Sequence, residues 1–162
     1  MPFLLYYIIC DIVLVVNKAE RSDNMAVRTN RHAVFDLEYH LVVMTKYRRP
    51  ALAGLLEKRA TEIVYNIFED HYGCKVHAVD ANVDHIHILF EAPPQVQLSK
   101  LVNSYKTVSS RLLRKEYPDE VFHFYVNSAF WSQSYFICTV SERSEVAVKH
   151  YIETQKEAAN PS

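Results

Sequence analysis

Glycine is almost absent from this 162-residue chain, which holds only Gly54 and Gly73. A glycine-rich loop that wraps a phosphate or a dinucleotide is thereby excluded, and no organic cofactor is expected. Cysteine is scarce as well. Cys10, Cys74 and Cys138 are scattered and odd in number, which fits neither a disulfide framework nor a zinc site and points to a reducing cytoplasm. No one sign of charge dominates: 18 Lys and Arg face 19 Asp and Glu, a formal net charge of -1. That excludes a protein that coats duplex DNA by bulk charge and leaves room for local basic patches. Repeats and low-complexity tracts are missing. The one apolar run, residues 1–16, is broken by Asp11, too short and too interrupted for a membrane span. It also lacks the basic start and small-residue cleavage site of a secretory signal. A membrane partner is therefore not expected. A hydrophobic fraction of 49% and a charged fraction of 23% suit a single domain with an ample core.

The hydrophobic periodicity outlines that domain. Residues 33–46 place Phe35, Leu37, Tyr39, Leu41 and Val43 on one side and Asp36, Glu38 and His40 on the other, the pattern of a long strand with one buried face. Pro50 opens a helix, along which Leu52, Leu55, Leu56, Ile63 and Ile67 recur, and Gly73 stops it. Residues 75–81 form a second strand, and 82–84 turn into a third that ends at Pro93 and Pro94. A helix follows over 98–115, with Leu101, Tyr105, Val108 and Leu112 inward, closed by Pro118. Short strands are predicted at 121–125 and 135–140, and a last helix at 144–158. This order predicts an α+β fold of ferredoxin-like, RRM-like type: an antiparallel sheet with helices on one face. The other face is left uncovered.

The third strand carries the first chemical signal. In Asn82-Val83-Asp84-His85-Ile86-His87-Ile88-Leu89-Phe90, Ile86, Ile88 and Phe90 anchor the strand while His85 and His87 project from its opposite face. Imidazoles at i and i+2 make a pair of metal ligands; the alternative is a solvated strand face that carries two histidines. No third His, Asp or Cys stands at the spacing of a zinc hydrolase.

The second signal lies near the C-terminus, where Ser144 can cap a helix that contains Tyr151 and Gln155. Four residues apart, these two share a helical face. A phenol and a carboxamide so placed offer a nucleophile and an oxygen ligand to one metal; the alternative is a packing tyrosine. Two basic clusters accompany them: Lys46, Arg48 and Arg49 after the first strand, and Lys100, Lys106, Arg111, Arg114 and Lys115 along the second helix. Both are candidate phosphate contacts or ordinary solvated faces.

Together, the histidine strand and the helical Tyr151 and Gln155 resemble the HUH single-tyrosine transposases, the small enzymes of the IS-two-hundred and IS-six-oh-five insertion sequences. Tyr39-His40-Leu41-Val42-Val43-Met44-Thr45-Lys46-Tyr47-Arg48-Arg49-Pro50 resembles the family's first strand and basic turn. Leu98 to Val102 with Tyr105-Lys106 resembles its second helix. Trp131 to Phe136 with Thr139-Val140 resembles the segment before its last helix. The likeness runs from about His32 to Gln155. One departure is Ser141, where the family usually has glycine, a residue that helps the catalytic helix swing.

The resemblance implies a transposase that cuts and rejoins single-stranded DNA with hairpins at the ends of its element. Tyr151 is then the nucleophile that forms a 5′-phosphotyrosine, and His85, His87 and Gln155 hold Mg2+ or Mn2+. It also implies a homodimer, in which the tyrosine helix of one subunit can complete the site of the other. Residues 1–24 precede the resemblance, and Met25 stands where such proteins start; they are expected to be an atypical leader before a transposase domain over 25–162. Two other readings remain. One is an HUH-type replication initiator or a domesticated enzyme that processes palindromes. The other is a non-catalytic nucleic-acid-binding module, although such sheets display aromatics where this one displays His, Asp and Glu.

Overall fold

The computed structural model describes residues 28–29, 31, 34–35, 37–126, 128–140 and 152–153. The expected leader, Tyr151, Gln155 and all of the expected last helix except Ile152 and Glu153 lie outside the described residues. The chain forms two units, 1–36 and 37–162. In the first, β1 (Arg28–Thr29) pairs antiparallel with β2 (Val34–Phe35), and the Arg28 guanidinium lies 5.7 Å from the centre of the Phe35 ring.

The second unit holds a four-stranded antiparallel sheet in the order β4–β5–β3–β6. Its strands are β3 (Glu38–Thr45), β4 (Lys75–Asn82), β5 (His85–Glu91) and β6 (Trp131–Thr139). Two helices, α1 (Leu55–Tyr65) and α2 (Leu98–Glu116), join them, and this is the ferredoxin-like succession that the sequence predicts. α1 runs on through a π-helical turn, Asn66–His71. Gly73, at a φ of +65° that suits glycine, ends it there and lets its own N–H reach the Glu69 carbonyl at 3.0 Å. Leu41, Val43, Ile86, Ile88 and Phe90 form the sheet's side of the core. Leu56, Ala60 and Ile63 from α1 and Leu101, Val102, Tyr105 and Leu113 from α2 complete it. Phe68 meets Phe90 edge-on, with ring centres 4.9 Å apart. A buried relay pins α2 to β6: the Trp131 indole N–H donates to Ser109 Oγ at 2.8 Å, and that hydroxyl donates to the Tyr105 carbonyl at 2.6 Å.

The sequence expectations need four corrections. The strand predicted over 33–46 is split, because Glu38 pairs with Glu91 and the partner strand then runs into Pro93 and Pro94, which cannot donate to a ladder. The first helix opens at Leu55 rather than Pro50. Gly54, at a φ of +59°, breaks the chain before it, and Leu52 reaches the core from the non-helical segment that precedes it. That shift leaves Leu55 exposed. Residues 121–125 are not a strand: α3 (Pro118–Phe124) occupies the region. Pro118 opens that helix rather than closing the one before, and Asp119 and Glu120 in its first turn complement the helix dipole. Finally, the face opposite the helices is not left open along its length. Val42 and Met44 are buried there with Ile152, and Phe136 and Cys138 pack against them.

Candidate active site

Antiparallel register determines which side chains share the sheet's second face. His85 lies opposite Met44 and His87 opposite Val42, so both imidazoles point away from the α1–α2 core, as strand parity requires. His40, two residues before Val42, joins them on that face. Its Nδ1 lies 2.9 Å from Nε2 of His87, with the rings stacked at 5.1 Å and 21°. His85 Nδ1 lies 2.7 Å from Asp84 Oδ1. An ionised carboxylate only accepts, so Nδ1 of His85 is the donor, which in a neutral ring leaves the lone pair on Nε2. Neither His85 Nε2 nor His87 Nδ1 has a hydrogen-bond partner among the described residues.

The electrostatics keep His87 neutral, as a metal ligand must be. Burial, with His40 and His85 close by, pushes His87 down to about 3 from the ordinary 6.5. Burial pushes the Asp84 carboxyl up, but the hydrogen bonds from His85 and Arg48 outweigh it and hold it below the usual carboxylate range. Among the described residues no group of three or more His, Cys, Asp or Glu is arranged to hold a metal. Two imidazoles with one uncommitted nitrogen each, on one sheet face, do fit a divalent ion that still needs further oxygen ligands.

The basic turn after β3 abuts this cluster. Thr45 N–H donates to the Asp84 carbonyl at 3.0 Å, and Lys46 N–H to that of Phe130 at 2.9 Å. Tyr47 and Arg48 follow with φ of 58° and 50°. Two consecutive left-handed residues that are not glycine cost on the order of 1–3 kcal/mol each and persist only where the surroundings hold them. Their effect is to send neighbouring side chains in opposite directions. Tyr47 is 65% exposed, with Lys46 Nζ 5.2 Å and the Arg49 guanidinium 5.7 Å from its ring centre. Arg48 turns inward. Its Nε and Nη2 donate to Asp84 Oδ2 at 2.9 and 2.6 Å, and its Nη1 donates to the Ile152 carbonyl at 2.7 Å.

The remaining basic residues divide by surroundings. Lys106 donates to the Gln133 carbonyl at 2.8 Å, and Arg114 donates to the carbonyls of Tyr125 and Ser128. Arg49 donates to the Phe124 carbonyl while staying exposed. Lys100, Arg111 and Lys115 are exposed on α2. Because α2 covers the Leu41–Val43 side of the sheet, these residues stand across the sheet from the histidines. Sequence reasoning did not assign His40 or the Arg48–Asp84 pair to the site. The signals were present: His40 has the parity of the polar face, and Asp84 directly precedes His85.

Comparisons with known proteins identify the family. Residues 33–155 match the family model described as "Transposase IS200 like". The ISDra2 transposase TnpA of Deinococcus radiodurans is 31% identical over 131 residues, 81% of this chain and 92% of that protein. The transposase for insertion sequence element IS200 of Salmonella typhimurium is 30% identical over 128 residues, 77% of this chain and 83% of that protein. A crystal structure of a Deinococcus radiodurans protein assigned as a transposase superposes with a TM-score of 0.70 at 30% identity, covering 79% of this chain and 97% of that one. The chain therefore belongs to the IS200-like transposase family, enzymes that cut and move DNA.

Proposed function

We propose that this transposase cleaves and rejoins single-stranded DNA at hairpin-bearing element ends through a covalent bond to Tyr151. The Tyr151 oxygen attacks the scissile phosphorus, the bond to the 3′ oxygen breaks, and that oxygen leaves as a hydroxyl once protonated. The product is a 5′-phosphotyrosine. A later attack by a 3′-hydroxyl reverses the exchange, so the phosphodiester energy is conserved without a nucleotide cofactor. His85, His87 and Gln155 are the residues proposed to hold a divalent cation, which supplies charge to polarise the phosphate oxygen. Two imidazoles suit Mn2+ better than Mg2+, which favours oxygen donors. The acting species is a homodimer. Lys46, Arg49 and the exposed Tyr47 are the nearest candidates to contact a phosphate and an unpaired base. Lys100 and Arg111 are candidates on the far side.

One observation carries this reading. Ile152, the residue after Tyr151, packs on Val42 and Met44, and Met44 is the ladder partner of His85. The chain next to the proposed nucleophile thus lies on the histidine face. The test is incubation with single-stranded hairpin DNA and Mn2+, followed by a denaturing gel for a covalent adduct. Tyr151→Phe should fold and bind DNA but form no adduct. Tyr135→Phe is the control, because Tyr135 pairs with Val43 on the helix side of the sheet and should keep the adduct. An adduct from Tyr151→Phe that is lost in Tyr135→Phe overturns the assignment.

A further inference from the structure

We propose that Arg48 is a positioning residue that ties the histidine strand to the tyrosine segment, rather than a contact to DNA phosphate. The inference rests on the function proposed above and adds a part to its site. Asp84 uses its two oxygens for different partners: Oδ1 takes the His85 Nδ1–H, and Oδ2 takes two donors of Arg48. A third donor of the same guanidinium holds the Ile152 carbonyl. The links form one line, from Ile152 through Arg48 and Asp84 to His85.

Each link has a distinct consequence. The carboxylate fixes the tautomer and orientation of His85, so Nε2 faces outward as a lone-pair donor. The carbonyl contact fixes the backbone one residue beyond Tyr151. The guanidinium joins the two because its donors form a planar fork with several directions, which an ammonium lacks. Arg48 is well placed for this and poorly placed for DNA: its side chain is only 10% exposed. The left-handed backbone at Tyr47 and Arg48 is what turns the side chain in. The turn is held from several sides, because Tyr125 donates its hydroxyl to the Lys46 carbonyl at 2.6 Å and Thr45 donates its own to the Arg49 carbonyl at 2.7 Å.

The experiment uses the full chain and four variants, Arg48→Gln, Arg48→Lys, Asp84→Asn and the double variant Arg48→Gln with Asp84→Asn. Three quantities are read. Mn2+ affinity is measured without DNA by electron paramagnetic resonance of the free ion. Hydrogen exchange is measured by mass spectrometry on the peptide that spans Ile152. Hairpin affinity is measured against salt concentration. Arg48→Gln should weaken Mn2+ binding about tenfold, the lower end for lost ligand support, and speed exchange around Ile152. Its hairpin affinity and salt slope should stay within about twofold of the unaltered protein, since no phosphate contact is lost. Arg48→Lys should fall between. Asp84→Asn should weaken Mn2+ binding as Arg48→Gln does, and the double variant should be no worse than the weaker single. The opposite pattern overturns the proposal: unchanged Mn2+ affinity and exchange in Arg48→Gln, with weaker hairpin binding and a salt slope reduced by about one, identifies a phosphate contact. If Arg48→Gln does not fold, Arg48→Lys and Asp84→Asn decide by the same readouts. Failure of the underlying function is separable, because it leaves the unaltered protein unable to form the adduct.

Discussion

Acidifying the metal-free protein should weaken it through His87, and the size of the effect follows from the site. His87 is held down to about 3 by burial and by its imidazole neighbours, against an ordinary 6.5. Between those values the unfolded chain binds a proton that the folded one refuses. Stability from this group is therefore fully present above about pH 6.5 and falls as the pH drops toward 3. The slope is about 1.4 kcal/mol per pH unit for one proton, so lowering the pH from 6.5 to 5 costs about 2 kcal/mol. Asp84 also has a lowered value, but its ordinary value is 3.8. Its contribution is present above that pH and lost only below it, outside the chosen window. Urea unfolding in EDTA at pH 6.5 and pH 5 measures the difference directly. His87→Asn removes the titrating ring and should flatten the profile by about 2 kcal/mol relative to the unaltered chain. Parallel profiles for the two proteins refute the argument. The same refusal of a proton keeps His87 available as a ligand, so Mn2+ binding lost just below pH 6.5 is not due to its protonation.

Two further outcomes test the fold and its boundaries. Ser109→Ala strands the buried Trp131 indole N–H and should cost about 1–3 kcal/mol in urea unfolding; a loss below about 0.5 kcal/mol shows that the relay contributes little. Removing residues 1–24 should change neither adduct formation nor the dimer measured by light scattering. Loss of folding on that deletion identifies the leader as part of the structure, and a monomer at micromolar concentration counts against the proposed homodimer.

The histidine pair was legible because it needs only parity: a strand that buries Ile86 and Ile88 must present His85 and His87 on its other face. The ferredoxin-like order was legible for a similar reason, since each element carries its own period and its own stop. Most of what failed required knowing a partner, Pro118 excepted. Pro118 is equally consistent with ending one helix and opening the next, and the acidic pair after it decided the matter. The run His40-Leu41-Val42-Val43-Met44 was read as alternating, although Val42 and Met44 stand on the supposedly polar side. An apolar run that ignores the alternation marks a strand buried on both faces, and Ile152 is part of what lies over it. Arg48 was grouped with Lys46 and Arg49 by composition alone. Composition cannot tell an inward guanidinium from an outward one; a left-handed backbone at two successive residues can.

The sheet's second face is therefore divided rather than open. One part is apolar, built from Val42 and Met44, and seats the residue that follows Tyr151. The other part is imidazole, built from His40, His85 and His87. Arg48 and Asp84 link them, since Arg48 bonds the Ile152 carbonyl and Asp84, and Asp84 bonds His85. The Lys46–Arg49 turn beside this cluster carries Tyr47 as its exposed aromatic and Arg49 as its exposed cation. The exposed cations of α2 lie behind the core, on the other side of the sheet. Under the proposed function, any DNA contact made by α2 is therefore made across the sheet from the histidine face.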